Sequence, residues 1–91
     1  MNYTTNHIAE ITNAKIIGDK NIIIRNIAFD SRIIYSTKNT AFIAINTPKN
    51  SGEKFIESAI DRGINVIISE HHHPQFENIT WIIVENSVEF L

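Results

Sequence analysis

Apolar positions along the chain fall into short, sharply bounded groups whose period changes from one group to the next. From Thr4 onward, Ile8 and Ile11 continue one helical face; Thr4 suits the N-cap, Tyr3 and Ile8 bracket it as a hydrophobic staple, and the helix is expected to end near Asn13. Residues 15–17 and 22–29 are isoleucine-rich and flank Gly18-Asp19-Lys20-Asn21, a pattern that predicts a β-hairpin. Phe29 then leads into a polar triplet, Asp30-Ser31-Arg32, where a strand gives way to a loop. Residues 36–40 are polar and turn-like, 41–45 read as an apolar strand, and Pro48 forbids a central strand across 46–51. Phe55, Ile56, Ala59 and Ile60 share one face of a helix over 52–62, with the charged side chains largely elsewhere and Gly63 as its stop.

The continuous run Val66-Ile67-Ile68 has the signature of a strand covered on both faces. Strand 41–45, helix 52–62 and strand 65–69 therefore predict a βαβ unit with a right-handed crossover, and with it a partly parallel sheet. A histidine-bearing loop with Pro74 leads to a last strand over 81–84, after which Asn86 or Ser87 is placed to cap a helix beginning at Val88. The expected fold class is α/β: one small three-layer domain with a mixed, partly parallel sheet, whose core takes in Ile8, Ile11, Phe55, Ile56, Ala59, Ile60 and Trp81.

Composition narrows the function classes. Ninety-one residues suffice for one core and one site, and a 43% hydrophobic, 20% charged chain is of ordinary globular type. No apolar run approaches the roughly 20 residues that span a bilayer, and the first twelve residues lack a basic start followed by an apolar stretch, so a cytoplasmic chain is expected. Without cysteine there is no thiolate nucleophile, disulfide or thiolate zinc site, and a net charge of -2 offers no electrostatic reason for a nucleic-acid partner.

Catalytic patterns are missing. Three glycines cannot build a Gly-x-x-x-x-Gly-Lys-Ser/Thr loop or a Gly-x-Gly-x-x-Gly fingerprint, and no Gly-x-Ser-x-Gly elbow presents a serine. Ser31 has no base within its own motif; Asp30 and Ser31 can equally bond loop amides as an Asx-type turn. His71-His72-His73 draws attention as a metal-ligand candidate, but adjacent residues point different ways, and recruiting His7 or Glu70 needs a coincidence of fold, so a solvated loop is expected.

Taken in order and spacing, these pieces resemble the amino-terminal, substrate-holding domain of the Mur ligases of bacterial cell-wall synthesis. The pieces are the leading helix, the Gly18 turn, Asp30-Ser31-Arg32, Phe42-Ile43-Ala44-Ile45, Ser51-Gly52 with Phe55-Ile56 and Ala59, Arg62-Gly63, Val66-Ile67-Ile68 and Ile83-Val84-Glu85. The resemblance implies that residues 1–85 hold the uridine-diphosphate end of a UDP-N-acetylmuramoyl-tripeptide, and that 86–91 begin a helix leading to a central ATPase domain. Asp30, Ser31, Arg32, Thr47, Asn50, Ser51 and Gly52 then line the substrate pocket and carry no catalysis.

Physical chemistry agrees with such a pocket: Arg32 can meet phosphate, Ser31 can donate a hydroxyl, and amides near Ser51-Gly52 at a helix start favour an anion. Equally, Arg32 can brace Asp30 and leave backbone groups to bind uracil. Thr47 stands where the family usually has Gly, and Ser51-Gly52-Glu53 where it has Asp-Gly-His; Glu53 is expected to repel a nearby diphosphate. The leading helix looks more like the subfamily adding D-alanyl-D-alanine than the one adding the third residue, which stands as the alternative. ATP and magnesium are implied for the whole enzyme, as is pyridoxal phosphate if an alanine racemase is fused, with the central and carboxy-terminal domains as partners. This chain alone is expected to hydrolyse no ATP. Two other classes remain open: a protein-interaction or regulatory module of similar fold, and a histidine-dependent metal-binding domain.

Overall fold

A computed structural model describes residues 2–33 and 36–90. In chain order the elements are β1 (Tyr3–Thr4), α1 (Thr5–Thr12), β2 (Lys15–Ile17), β3 (Ile23–Ile24), β4 (Asn26–Ala28), a 3-10 turn (Ser31–Ile33), β5 (Thr40–Ile43), β6 (Asn46–Thr47), β7 (Asn50–Ser51), a second 3-10 turn (Gly52–Phe55), α2 (Ile56–Asp61), β8 (Val66–Ser69), β9 (Thr80–Ile83) and α3 (Ser87–Phe90).

The local signals at α1 act as their chemistry dictates. Thr4 is the N-cap, its hydroxyl accepting from the His7 amide at 3.1 Å, and Asn13 ends the helix in the left-handed region at φ 55°. Thr4→Ala is expected to lower stability by about 1 kcal/mol, read from the urea midpoint. An unchanged midpoint would mean that the cap contributes nothing in solution.

The expected hairpin does not form. β2 pairs antiparallel with β9, β3 pairs antiparallel with β1, and β4 lies parallel to β5. Gly18 explains the divergence: it sits at φ 122°, and a Cβ there would lie 2.7 Å from Thr80 Oγ1, so the backbone turns hard against β9. The rest of the loop is tied to α1. The Asp19 carbonyl accepts from the Thr5 hydroxyl at 2.6 Å, and the Lys20 and Ile22 carbonyls accept from the amides of Asn6 and Thr5.

The central sheet has the order β2-β9-β8-β5-β4, with β4, β5, β8 and β9 parallel and β2 antiparallel at one edge. Each face carries its own core, because alternate side chains of a strand leave on opposite sides. Ala41 and Ile43 pack with Ile8, Ala9, Ile68 and Ile82, whereas Phe42 and Ala44 pack with Ile56, Ala59, Ile67 and Trp81. With α1 on the first face and α2 on the second, the expected three-layer α/β domain with a mixed sheet is the one observed.

Two details differ. Ile11 is 62% exposed, because α1 turns Thr5, Ile8 and Ala9 inward and Ile11 stands roughly 110° round the helix from their mean direction. The helix expected over 52–62 opens as a 3-10 turn and is α-helical only from Ile56 to Asp61. Residues 46–51 form a two-rung hairpin, separate from the main sheet, with Pro48 at its turn. A helix does begin beside Asn86, whose Oδ1 accepts from the Val88 and Glu89 amides; Leu91 lies outside the described residues. Among the described residues no helix is long and apolar enough to cross a membrane.

Candidate functional site

Because β4, β5, β8 and β9 are parallel, the segments that leave their carboxyl ends emerge on one edge of the sheet, the side on which open α/β sheets bind ligands. Those segments are Phe29-Asp30-Ser31-Arg32, the 46–52 hairpin, residues 70–73 and residues 85–87. The first two follow the adjacent strands β4 and β5, so both loops that the sequence singled out lie at the same edge of the sheet.

In the triplet, Asp30 Oδ1 accepts from the Arg32 amide at 2.9 Å, which is the Asx-type turn. The same carboxylate takes Arg32 Nε at 3.1 Å and Nη2 at 3.0 Å, so Arg32 braces Asp30 as the second reading had it. These bonds hold the Asp30 carboxyl below its ordinary range and raise the guanidinium, chiefly through the side-chain hydrogen bonds between the two. The Arg32 side chain is nevertheless 78% exposed, leaving donors that face solvent. Ser31 is the reverse: it is 1% exposed, and its Oγ has no hydrogen-bond partner among the described residues. Phe29, which the sequence does not single out as a site residue, is 64% exposed immediately before the triplet. A large aromatic at the mouth of a strand was the available signal.

The 46–52 loop corrects one expectation. Gly52 N–H donates to the Ile45 carbonyl at 2.9 Å and to Asn46 Oδ1 at 3.1 Å, and the Glu53 amide donates to Ser51 Oγ at 3.3 Å. The amides expected to greet an anion are thus satisfied internally, because the chain closes a hairpin there and opens a 3-10 turn. Thr47 Oγ1 donates to the Asn50 carbonyl at 3.3 Å and Ser51 Oγ donates to Asn46 Oδ1 at 3.1 Å; Thr47, Asn50 and Ser51 are all exposed.

Glu53 does not stand as a bare charge beside this loop. Its side chain is only 12% exposed; Oε2 lies 2.6 Å from His71 Nδ1 and Oε1 lies 2.7 Å from His73 Nε2. Asn46 Nδ2 donates to Glu53 Oε2 at 2.7 Å and to Glu70 Oε1 at 3.1 Å, while Glu70 Oε2 accepts from the Ser87 amide at 2.8 Å and hydroxyl at 2.9 Å. Burial pushes the Glu53 carboxyl up, but hydrogen bonds from Asn46, His71 and His73 outweigh it and the net direction is down. Glu53 in turn raises His71, and the Ser87 amide foremost lowers Glu70.

His73 also stacks on Trp81, with centroids 5.4 Å apart at 20°, and His72 meets the same ring edge-on. The histidine loop is therefore anchored rather than merely solvated. His71 and His73 both reach Glu53 from this loop, while His72 between them does not. Among the described residues no three His, Asp or Glu side chains are arranged to hold a metal ion. A separate cavity of 340 Å³, lined by Ile11, Asn13, Val84 and Phe90 among others, includes none of the triplet or hairpin residues.

No family model matches the chain. The UDP-N-acetylmuramoyl-L-alanyl-D-glutamate--2,6-diaminopimelate ligase of Clostridium tetani is 42% identical over 73 residues, which cover 77% of this chain and 15% of that protein. The ligase of the same name from Alkaliphilus oremlandii is 44% identical over 73 residues, covering 80% of this chain and 14% of the relative. The chain thus spans about a seventh of the length of these curated relatives. Among solved structures, the UDP-N-acetylmuramoylalanyl-D-glutamyl-2,6-diaminopimelate--D-alanyl-D-alanyl ligase from Acinetobacter baumannii aligns over 99% of this chain and 20% of its own, with a TM-score of 0.82. At 20% identity that likeness is one of fold.

Proposed function

Because this chain is homologous to the amino-terminal region of the Mur ligases, we propose that it anchors the uridine-diphosphate end of a UDP-N-acetylmuramoyl peptide for an ATP-dependent, amide-forming ligase of peptidoglycan precursor synthesis. The observation that supports the reading is the buried Ser31 hydroxyl, which has no partner among the described residues and is flanked in the chain by the exposed Phe29 and Arg32 at the carboxyl edge of parallel strands. A buried unpaired hydroxyl in a folded protein calls for an acceptor. A uracil or phosphate oxygen supplies one, Phe29 offers an apolar face to the base, and Arg32, oriented by Asp30, meets the diphosphate. The exposed Thr47, Asn50 and Ser51 border the same edge, with Gly52 as the backbone hinge of their loop.

Between the two subfamilies, the relatives favour the alternative. The sequence relatives at 42% and 44% identity carry the third-residue name, whereas the D-alanyl-D-alanyl ligase matches in fold at 20% identity. The substrate in this reading is a UDP-N-acetylmuramoyl-dipeptide in place of the tripeptide, handled in the cytoplasm. ATP and magnesium act on the remainder of the longer enzyme, through the central and carboxy-terminal domains. The residues here do not fit an ATP cradle, since Gly18, Gly52 and Gly63 are scattered and the Gly52 amide is bonded to Ile45. Pyridoxal phosphate has no part in the reading.

Ser31→Ala tests the site. It is expected to weaken UDP binding, measured by calorimetry, by about five- to tenfold, the worth of one hydrogen bond of roughly 1 kcal/mol. Stability should hold steady, since the hydroxyl removed has no partner among the described residues. Equal affinities of variant and wild type would take Ser31 out of the site.

A further inference from the structure

We propose that Glu53, His71 and His73 form a protonation-linked latch that ties the 70–79 loop to the 46–52 loop of the candidate site, with Glu53 as its positioning residue. The geometry is that of a clasp closed from two sides. Both carboxylate oxygens of Glu53 are held, one by His71 at 2.6 Å and the other by His73 at 2.7 Å, across 18 and 20 positions of sequence. Asn46, in the first strand of the hairpin, gives its amide hydrogens to Glu53 and Glu70 together, while its Oδ1 takes Ser51 Oγ and Gly52 N–H. The chain of contact closes where Ser87 donates to Glu70 and its hydroxyl accepts from the Asn46 backbone amide at 2.8 Å. One side chain, Asn46, thereby connects the histidine loop, the last helix and the loop bearing Thr47 to Gly52.

The charged groups facing this cluster are Glu53, Glu70, His71 and His73. Lys54 turns away to lie over the Phe55 ring at 5.2 Å, and His72 packs on Trp81. With His71 protonated, its bond to Glu53 is charge-assisted and its charge offsets one of the two neighbouring carboxylates; with His71 neutral, the same bond persists in weaker form and that offset beside the loop is lost. His71 is raised above 6.5, so its extra contribution is complete below 6.5 and is lost as pH rises through the raised value. Glu53 is lowered from 4.5, so its contribution is complete above 4.5 and is lost as pH falls through the lowered value. The latch is therefore tightest between these two ordinary values and loosens toward alkaline pH.

The link to ligand binding rests on the anchoring function proposed above, and the test separates the two. Imidazole and amide signals of the labelled 91-residue chain would be followed from pH 5 to 9. The expected result is a His71 midpoint above 6.5, with the Asn46, Ser69 and Ser87 amides moving at the same midpoint; Glu53→Gln returns His71 to its ordinary value and flattens the amide curves. His71→Asn, which keeps a donor but cannot titrate, guards against a Glu53 variant that fails to fold, and it too should flatten them. A His71 midpoint indifferent to Glu53→Gln, or amide curves that survive His71→Asn, overturns the latch. UDP-N-acetylglucosamine, whose diphosphate diester keeps a constant charge over this range, is the binding probe. Its affinity should fall about threefold from pH 6 to pH 8 in the wild type and stay level in His71→Asn. Level affinity in the wild type overturns the coupling to the site. Absence of binding at both pH values overturns the anchoring function, while the side-chain titration still decides the latch.

Discussion

Replacing Trp81 by alanine is expected to destabilise the domain by about 4 kcal/mol, as large aromatic truncations in a sealed core do. Trp81 is 1% exposed at the centre of β9, packed among Phe42, Ile56, Ala59, Ile64 and Ile67. Its own strand is fixed by a parallel ladder to β8 on one side and an antiparallel one to β2 on the other, which limits how far the backbone can close over the cavity. The loss reaches beyond the core because His73 stacks on the same ring and His72 meets its edge. Since a chain of this length has a total stability of roughly 5–14 kcal/mol, the variant should unfold at far lower urea concentration. Far-UV circular dichroism reads this without the lost fluorophore. A loss under about 1 kcal/mol would contradict the packing described for β9.

Gly52→Ala is expected to cost about 3 kcal/mol and to weaken UDP binding along with stability. An added Cβ would lie 2.5 Å from the Ile45 amide nitrogen and 2.6 Å from its carbonyl oxygen, and 3.0 Å from the Ala44 carbonyl carbon. All three are backbone atoms just past the end of β5, so no side chain can swing aside. Relief requires lengthening the Gly52 to Ile45 hydrogen bond, which lifts the hairpin that carries Thr47, Asn50 and Ser51. The two effects are read together, by urea unfolding and by UDP calorimetry on the fraction that remains folded. A variant as stable as the wild type would mean that residues 44–52 are arranged differently in solution.

Those two positions also mark how far the sequence could be read. The N-cap at Thr4, the strand run Val66-Ile67-Ile68 and the stop at Gly63 depend on neighbours within a few residues, and all were legible. β2 was misassigned because its partner lies more than sixty residues away: Lys15 faces Ile83 and Ile17 faces Trp81, while the intervening turn looks like a local hairpin. The inward face of α1 was drawn one position too wide, since Ile11 follows the helical period loosely but points past the sheet. At the candidate site, the Asp30 and Arg32 brace was legible as one of two readings because it is made across two residues. The occupancy of the Gly52 and Glu53 amides was not, because it follows from the hairpin and from the 3-10 start of the helix. Nor was the pairing of Glu53 with two histidines, which exists only once β5 and β8 lie side by side.

We propose that the edge formed by the triplet and the hairpin holds the nucleotide end of a muramoyl substrate. The most direct test of this proposal is a titration of the labelled chain with UDP-N-acetylmuramoyl-L-alanyl-D-glutamate, followed by amide chemical shifts. Saturable shifts concentrated at Phe29, Ser31, Arg32 and residues 47–52, reproduced by UDP alone, are the predicted result. Shifts confined instead to the cavity lined by Ile11, Asn13, Val84 and Phe90, or a spectrum unchanged at millimolar ligand, would contradict it.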